Sequence, residues 1–195
     1  ANIKKEKLNT TEFGANLGLF SSRIMIDFSY FMTTTSDLIT FTTPSRASGS
    51  TSFLTNIGSL KGNGYEVSLG GSIIRGKNLT WDMSLNYSSE TTVVKEIYEG
   101  LDEVAVSSWG SYGIYAIVDM PYPQLKANTY VRDPQGRIVV DPATGFPLQN
   151  AALESMGRTT PKHIFGLNTS LKAYGFALST TIDYRTGHVF YSQGQ

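Results

Sequence analysis

The 195-residue sequence contains no cysteine, which removes disulfides, thiolate metal sites and thiol nucleophiles from its chemistry. It is also poor in charge. Asp, Glu, Lys and Arg make up 16% of residues, against about 25% in an ordinary soluble domain. Its 16 basic and 16 acidic side chains cancel, so the basic footprint of a nucleic-acid binder is missing. No apolar run reaches the roughly 18 residues of a transmembrane helix. With 40% hydrophobic residues and no net charge, the chain is not disordered either. An initiator Met and a signal peptide are both lacking, so the sequence reads as a piece of something larger. Catalytic patterns are absent as well: there is no G-x-S-x-G and no P-loop. His163 and His188 lack metal-ligand spacing. Asp133 and Asp141 around Gly136 lack the D-x-D-x-D-G order of a calcium loop and fit an Asp-Pro turn with a hairpin. The expectation is a protein that is not an enzyme and holds no cofactor or metal.

What the sequence has is period-two alternation, in six stretches. One face of these stretches carries Phe13, Ala15, Leu17 and Leu19; Ile24, Ile26, Phe28 and Tyr30; Tyr65, Val67, Leu69, Gly71 and Ile73. It continues with Leu79, Trp81, Met83, Leu85 and Tyr87; His163, Phe165, Leu167, Thr169 and Leu171; Phe176, Leu178, Thr180, Ile182 and Tyr184. None of these is Lys, Arg, Asp or Glu, and all but Gly71, His163, Thr169 and Thr180 are apolar or aromatic. The other face is mostly Ser, Gly, Asn, Thr and Asp, with Met25, Ile164 and Ala177 as its apolar members. A soluble antiparallel sandwich also alternates, but its polar face meets bulk water and favours long charged side chains. Small polar groups suit a crowded barrel lumen, and an uncharged apolar face suits lipid.

The connections point the same way. Ser21-Ser22, Arg75-Gly76-Lys77-Asn78 and Lys172-Ala173-Tyr174-Gly175 are tight hairpins, whereas about 41–63 and 91–161 are long loops. Short turns at one end and long extracellular loops at the other are the habit of outer-membrane barrels. Phe20, Trp81 and Phe176 lie near the short turns, and Tyr30, Tyr65, Tyr87 and Tyr184 lie toward the other rim, as interfacial girdles would. Six strands cannot enclose a hydrated lumen, and open edges in hydrocarbon would leave backbone groups unpaired, so further strands are expected on both sides.

Ile3-Lys4-Lys5-Glu6-Lys7 with Glu12-Phe13-Gly14 is similar to the LKPEKT...E.G strand entry of the family of SusC/RagA-like TonB-dependent transporters of the Bacteroidetes outer membrane. Asn56-Ile57-Gly58-Ser59-Leu60 and Gly62-Asn63-Gly64-Tyr65-Glu66 resemble its N-I-G-x-x-x-N-x-G-x-E motif, and Trp81 to Ser88 resembles the W-x-x-x-x-N-x-S strand after it. Arg132-Asp133-Pro134-Gln135-Gly136, Asp141 and Gly145-Phe146-Pro147 are like its RD.nG.ivvD..G.P hairpin. Asp183-Tyr184-Arg185-Thr186-Gly187 resembles its D-x-R-x-G strand end. Lys5 stands where the family usually has Pro, His188 stands where a second Gly is common, and 93–124 matches no motif.

The resemblance implies an all-β, antiparallel transmembrane barrel of about 22 strands, with residues 1–195 as part of its wall. It also implies a plug domain outside this sequence, a SusD-like surface lipoprotein as lid, and energy from TonB through that plug. The implied function is import of oligosaccharides or oligopeptides across the outer membrane of a Gram-negative bacterium. A soluble β-sandwich of adhesin or carbohydrate-binding type is the alternative, and a passive porin fits the motifs less well. Asn63-Gly64 and Gly58 are expected at positive φ where an outer loop re-enters the sheet. Glu66, Asp82, Asp183 and Arg185, with Asp27, are expected as lumen-facing charges, a structural network rather than a transport site; Glu66 is expected to wet the barrel–plug interface or to pair with a basic group on a neighbouring strand or the plug. Trp109, Tyr112, Tyr115 and Tyr122 concentrate aromatic surface in one outer loop, where they would stack on a sugar ring, meet the lid or pack on one another.

Overall fold

The computed structural model describes residues 3–42, 53–56, 58–97 and 100–192. Six long antiparallel strands form one sheet: β1 (Lys7–Leu19), β2 (Ile24–Ser36), β5 (Gly58–Arg75), β6 (Leu79–Ile97), β11 (His163–Ala173) and β12 (Phe176–Thr186), in that spatial order. The six alternating stretches of the sequence are these strands. A two-stranded ribbon, β3 (Ile39–Thr42) and β4 (Phe53–Asn56), follows β2. Between β6 and β11 lies a separate four-stranded sheet of β7 (Glu103–Ser108), β8 (Tyr112–Ile117), β9 (Gln124–Tyr130) and β10 (Gln149–Arg158), ordered β10-β9-β8-β7.

Register converts the alternation into two continuous faces. Leu17, Ile26, Leu69, Leu85, Leu167 and Ile182 oppose one another in one unbroken row across all six strands. One residue along, Asn16, Asp27, Ser68, Asn86, Gly166 and Asp183 form a polar row on the other side. A one-residue slip in any strand would exchange its faces, so the long ladders fix each strand's register. Among the described residues nothing covers the apolar face: Leu69, Leu85 and Phe165, from the middle strands, are 41%, 42% and 43% exposed. On this face the Trp81 indole N–H donates to Thr169 Oγ1 at 2.8 Å, which pairs two polar groups that lipid could not. On the polar face, Asn16 Nδ2 donates to Asp27 Oδ1 at 2.5 Å and Ser68 donates to Asn86 Oδ1 at 2.8 Å across neighbouring strands.

Several expectations need correction. The first turn spans 20–23 rather than Ser21-Ser22 alone, with Phe20, Ser21 and Ser22 all at positive φ. A bulge between Ser72 and Ile74 places Ile74, not Ile73, opposite Trp81, and the Arg23 guanidinium donates to the Ser72 and Ile73 carbonyls at 3.0 and 2.8 Å. The third turn is tighter than predicted, a two-residue Tyr174-Gly175 turn with both φ positive. Gly58 has the expected positive φ, 129°, but Asn63 and Gly64 lie inside β5 with none. Gly64 is needed for close approach instead. A Cβ there would come within 2.5 Å of the Phe31 ring and 2.6 Å of the Ser89 carbonyl oxygen, and Phe31 is its direct cross-strand partner.

The loop limits also move. The loop placed at about 41–63 is bounded by β2 ending at Ser36 and β5 starting at Gly58, and its residues 43–52 and 57 lie outside the described ones. The loop placed at 91–161 begins later, because β6 continues to Ile97. Beyond Ser89, β6 loses β11 as a neighbour, and the loop itself takes that edge. Tyr122 N–H donates to the Thr92 carbonyl at 2.8 Å, Val94 N–H to Met120 at 3.1 Å, and Asp119 N–H to Val94 at 2.9 Å. Here lies the core of the described residues: Leu60, Val94, Ile97 and Ala116 are buried, with Leu38, Val104, Val106, Val118 and Tyr122 packed on them.

Two motifs become mutually intelligible. The Asn56 side chain donates to the Lys4 carbonyl at 3.0 Å and the Asp37 carbonyl at 2.6 Å, and accepts from Lys4 N–H at 2.8 Å. Glu6 accepts from Ile39 N–H at 3.0 Å, so the N-terminal motif and the N-I-G motif hold each other where β2 ends and β5 begins. In the 132–147 hairpin, Asp133 Oδ1 accepts from the N–H groups of Gln135 and Arg137 at 3.0 and 2.9 Å. Arg137 Nε donates to Asp133 Oδ2 at 2.7 Å. These donors, led by Arg137, hold the Asp133 carboxyl below its usual pKa.

Two predictions follow from this geometry. Gly64→Ala in the full-length protein should lower stability by about 1–3 kcal/mol, the cost of overpacking, measured by gel heat-modifiability. An unchanged midpoint would mean that Phe31 and the Ser89 carbonyl shift freely. Because the Asp133 pKa is depressed on folding, its contribution is present above the unfolded value of about 3.9 and is lost as pH falls through the lower folded value. Amide exchange at 135–137, corrected for intrinsic rates, should therefore lose protection on acidification below about pH 4, and Asp133→Asn should abolish that dependence.

Candidate functional site

The polar face of the six-stranded sheet carries the four charges singled out in the sequence, and of these it brings only Asp183 and Arg185 together. Asp82, near the short turns, accepts from the Ser72 hydroxyl, to which Arg75 also donates at 3.3 Å. Asp183 pairs with Arg185 Nε at 2.8 Å, two residues along the same strand. Both of these side chains are more than half exposed, so the pair contributes little to stability. Glu66 lies in register between Ser29 and Ser88, and no ion pair among the described residues includes it. It shares a row with Arg185 but sits three strands away, roughly 14 Å at about 4.8 Å per strand. Among the described residues the contacts of these charges are local, Asp82 with Ser72 and Asp183 with Arg185. Beside Asp82 lies an open groove of about 570 Å³ whose lining includes Arg23, Arg75, Ser84, Asn168 and Ser170 together with Met25 and Met83.

The aromatic loop residues divide into three environments. Trp109 and Tyr112 flank the β7–β8 turn, which closes through Trp109 N–H to the Tyr112 carbonyl at 2.9 Å with Gly110 at φ 82°. Their rings stack with centroids 5.2 Å apart. On Tyr112 lies Tyr191, 3.8 Å away and tilted by 11°. The chain brings Tyr191 there after β12, where Val189 N–H donates to the Arg158 carbonyl at 2.9 Å. No sequence signal couples residues so far apart, and Tyr191 was missed. Tyr115 is three positions from Tyr112 on a strand, so the pleat turns it to the opposite face. There Lys126 Nζ lies 4.9 Å over its ring and pairs with Glu103 at 2.7 Å. Tyr122 packs into the buried cluster, and burial raises its hydroxyl pKa. The four residues are thus not one surface; Trp109, Tyr112 and Tyr191 are.

This ladder is anchored to the large sheet. Arg158, at the end of β10, donates to Thr91 Oγ1 at 3.2 Å and to Thr160, while burial lowers its pKa against the opposing pull of Glu90. Lys95 of β6 pairs with Asp119 at 2.8 Å. Beside the ladder's sheet, Thr129, Tyr130, Arg132, Asn150 and Glu154 line an open groove of about 650 Å³. Among the described residues no group of three His, Asp or Glu side chains converges as a metal site would require.

The TonB dependent receptor-like, beta-barrel family matches residues 1–194. TonB-dependent receptor P3 of Formosa agariphila is 24% identical over 203 residues, covering 91% of this chain and 20% of the relative. TonB-dependent receptor P26 of the same organism is 28% identical over 96 residues, covering 49% of this chain and 10% of the relative. Among solved structures, the RagAB peptide transporter has the same fold over 93% of this chain and 21% of its own, with a TM-score of 0.73 at 20% identity. The RagAB peptide importer in its closed-closed state gives a TM-score of 0.72 over 94% of this chain. The chain thus spans about 20% of the length of TonB-dependent receptor P3. An uncovered apolar face, a small polar face and short turns opposite long loops are what that match would require of a lipid-embedded wall, and the chain belongs to the TonB-dependent receptor-like β-barrel family of the Gram-negative outer membrane.

Proposed function

We propose that this chain is part of the wall of a TonB-dependent importer that takes up oligopeptides or oligosaccharides together with a SusD-like surface lipoprotein. The carrying observation is the exposed, charge-free apolar face that spans six strands in register. A soluble sandwich would have to cover that face with a second sheet, and the four-stranded sheet packs instead at the far ends of β5 and β6. The face meets lipid, and the short turns lie on the periplasmic side with the long loops outside. Glu66, Asp82, Asp183 and Arg185 then line the lumen and wet its boundary with the plug.

Transport in this reading is non-covalent. Ligand is held under the lipoprotein lid, TonB draws on the plug, and the small hydroxyl and amide groups of the polar face offer a hydrated path of weak, exchangeable contacts. The Trp109–Tyr112–Tyr191 ladder supplies flat apolar surface at the outer rim for a sugar ring, a peptide side chain or the lid itself. The RagAB structures of the same fold are those of a peptide transporter, which supports the peptide class.

Orientation is tested by single cysteines in a cysteine-free full-length background. Leu167→Cys should react with a membrane-soluble maleimide and resist a charged one, and Asn168→Cys should do the reverse. Equal labelling of both by the charged reagent would overturn the lipid-facing assignment. For the loop, Trp109→Ala combined with Tyr112→Ala should reduce uptake of the host's peptide or glycan nutrient, or co-purification of the lipoprotein, by roughly tenfold, the worth of one aromatic contact of about 1.5 kcal/mol. Wild-type values in both assays would remove the ladder from the mechanism.

A further inference from the structure

The groove of about 650 Å³ in the loop sheet is opened by an irregularity of its own strands. β9 and β10 pair at Tyr130 with Gln149 and again at Asn128 with Leu153, so β10 sets Asn150, Ala151 and Ala152 against Thr129 alone. The surplus bows β10 away from β9, a distortion that bulges commonly supply beside functional sites. Two asparagines hold the gap in shape. Asn128 Nδ2 donates to the Asn150 carbonyl at 2.6 Å, and Asn150 Oδ1 accepts from Ala152 N–H at 3.1 Å. Asn150 Nδ2 in turn donates to Glu154 Oε1 at 2.7 Å.

The lining of this gap carries one cation and one anion, Arg132 and Glu154. Among the described residues neither takes part in an ion pair. A neutral group holds each of them instead: Asn150 fixes Glu154, and Arg132 Nη1 donates to the Gly136 carbonyl at 2.7 Å. Asp133, beside Arg132 in the chain, is already taken by Arg137. A guanidinium has several N–H donors and a carboxylate several acceptor sites, so both keep most of their capacity. Glu154 lies opposite Ala127, and Arg132 is five residues further along, about 16 Å at roughly 3.3 Å per residue. A ligand that satisfies both must carry a cation and an anion at about that spacing. An extended chain of about five amino acids does so with its own termini, whereas a neutral glycan has neither charge.

We propose that this groove binds a short oligopeptide end to end, with its α-ammonium on Glu154 and its α-carboxylate on Arg132. The proposal rests on the importer reading and narrows its cargo to peptide. Arg132 suits the carboxylate because a guanidinium can hold both oxygens at once. Thr129 and Asn150 lie between the two ends, where the ligand's main chain passes. Tyr112, Ala127 and Glu154 share one row, so the aromatic ladder stands beyond the Glu154 end, toward the ligand's first side chain. Recognition of this kind fixes the ligand's direction as well as its length.

The test is calorimetric binding to full-length protein in detergent, with pentaalanine as the probe. Wild type should bind pentaalanine with free termini roughly tenfold more tightly than its N-acetylated or its C-amidated form, since each block removes one hydrogen bond between charged groups. Dialanine, too short to reach both ends, and uncharged maltopentaose should bind at least roughly tenfold more weakly as well. Glu154→Gln should weaken free pentaalanine about tenfold and the N-acetylated form no further, and Arg132→Gln should do the same for the C-amidated form. Gel heat-modifiability establishes that each variant is folded, and if Arg132→Gln is not, Arg132→Lys takes its place with a smaller expected loss. A merely structural role would weaken every form alike, and that result overturns the proposal. So does equal binding of free and blocked pentaalanine, equally tight maltopentaose, or no binding of free pentaalanine. Peptide uptake indifferent to blocked termini would uphold the importer reading while overturning this one.

Discussion

In hydrocarbon, a backbone N–H or C=O without a partner costs several kcal/mol, because no water is available to take the place of the missing bond. The continuous ladders of β1-β2-β5-β6-β11-β12 answer that constraint, and the remaining architecture depends on them. Once the strands pair, pleat and register leave no freedom: every second side chain enters lipid and the others do not. The apolar face can then dispense with charge, and the polar face can be built from residues small enough to satisfy one another across strands. On the lipid side, the bond between Trp81 and Thr169 answers the same constraint.

The same rule explains how the outer end is finished. β6 outlasts its neighbour β11 by several residues, and an unpaired edge there would invite foreign strands. Segment 118–122 closes it, and the resulting proximity of loop and wall creates the buried cluster around Val94 and Ala116. A chain with little enclosed core in its membrane part thus acquires one where water resumes and the hydrophobic effect can act.

Legibility followed period and contiguity. The six wall strands could be read because a membrane strand advertises itself with strict alternation and a total absence of charge on one side. The four strands of the loop could not. β7 to β10 are short, interrupted by bulges, and pack partly on both faces, so their alternation is blurred. Gly64 was read as a turn glycine because glycine next to asparagine usually is one; its actual constraint is an aromatic ring on the neighbouring strand, which has no local signature. Trp109 and Tyr112 were found because they are close in sequence, and Tyr191 was not because the fold alone brings it there. Tyr115 and Tyr122 were grouped with them by proximity along the chain and separated by the pleat and by burial.

The attachment of the loop to the wall has one more property. Its three bonds to Thr92 and Val94 are made by backbone amides and carbonyls, which every residue except proline on the donor side can supply. These three bonds are thereby blind to side-chain identity, and only the buried cluster, the Lys95–Asp119 pair and the Arg158–Thr91 bond beside them constrain which residues the attachment needs. A lineage can rewrite the residues that a loop shows to the outside while the loop remains fastened to the same barrel, and new cargo preferences can arise without a new scaffold.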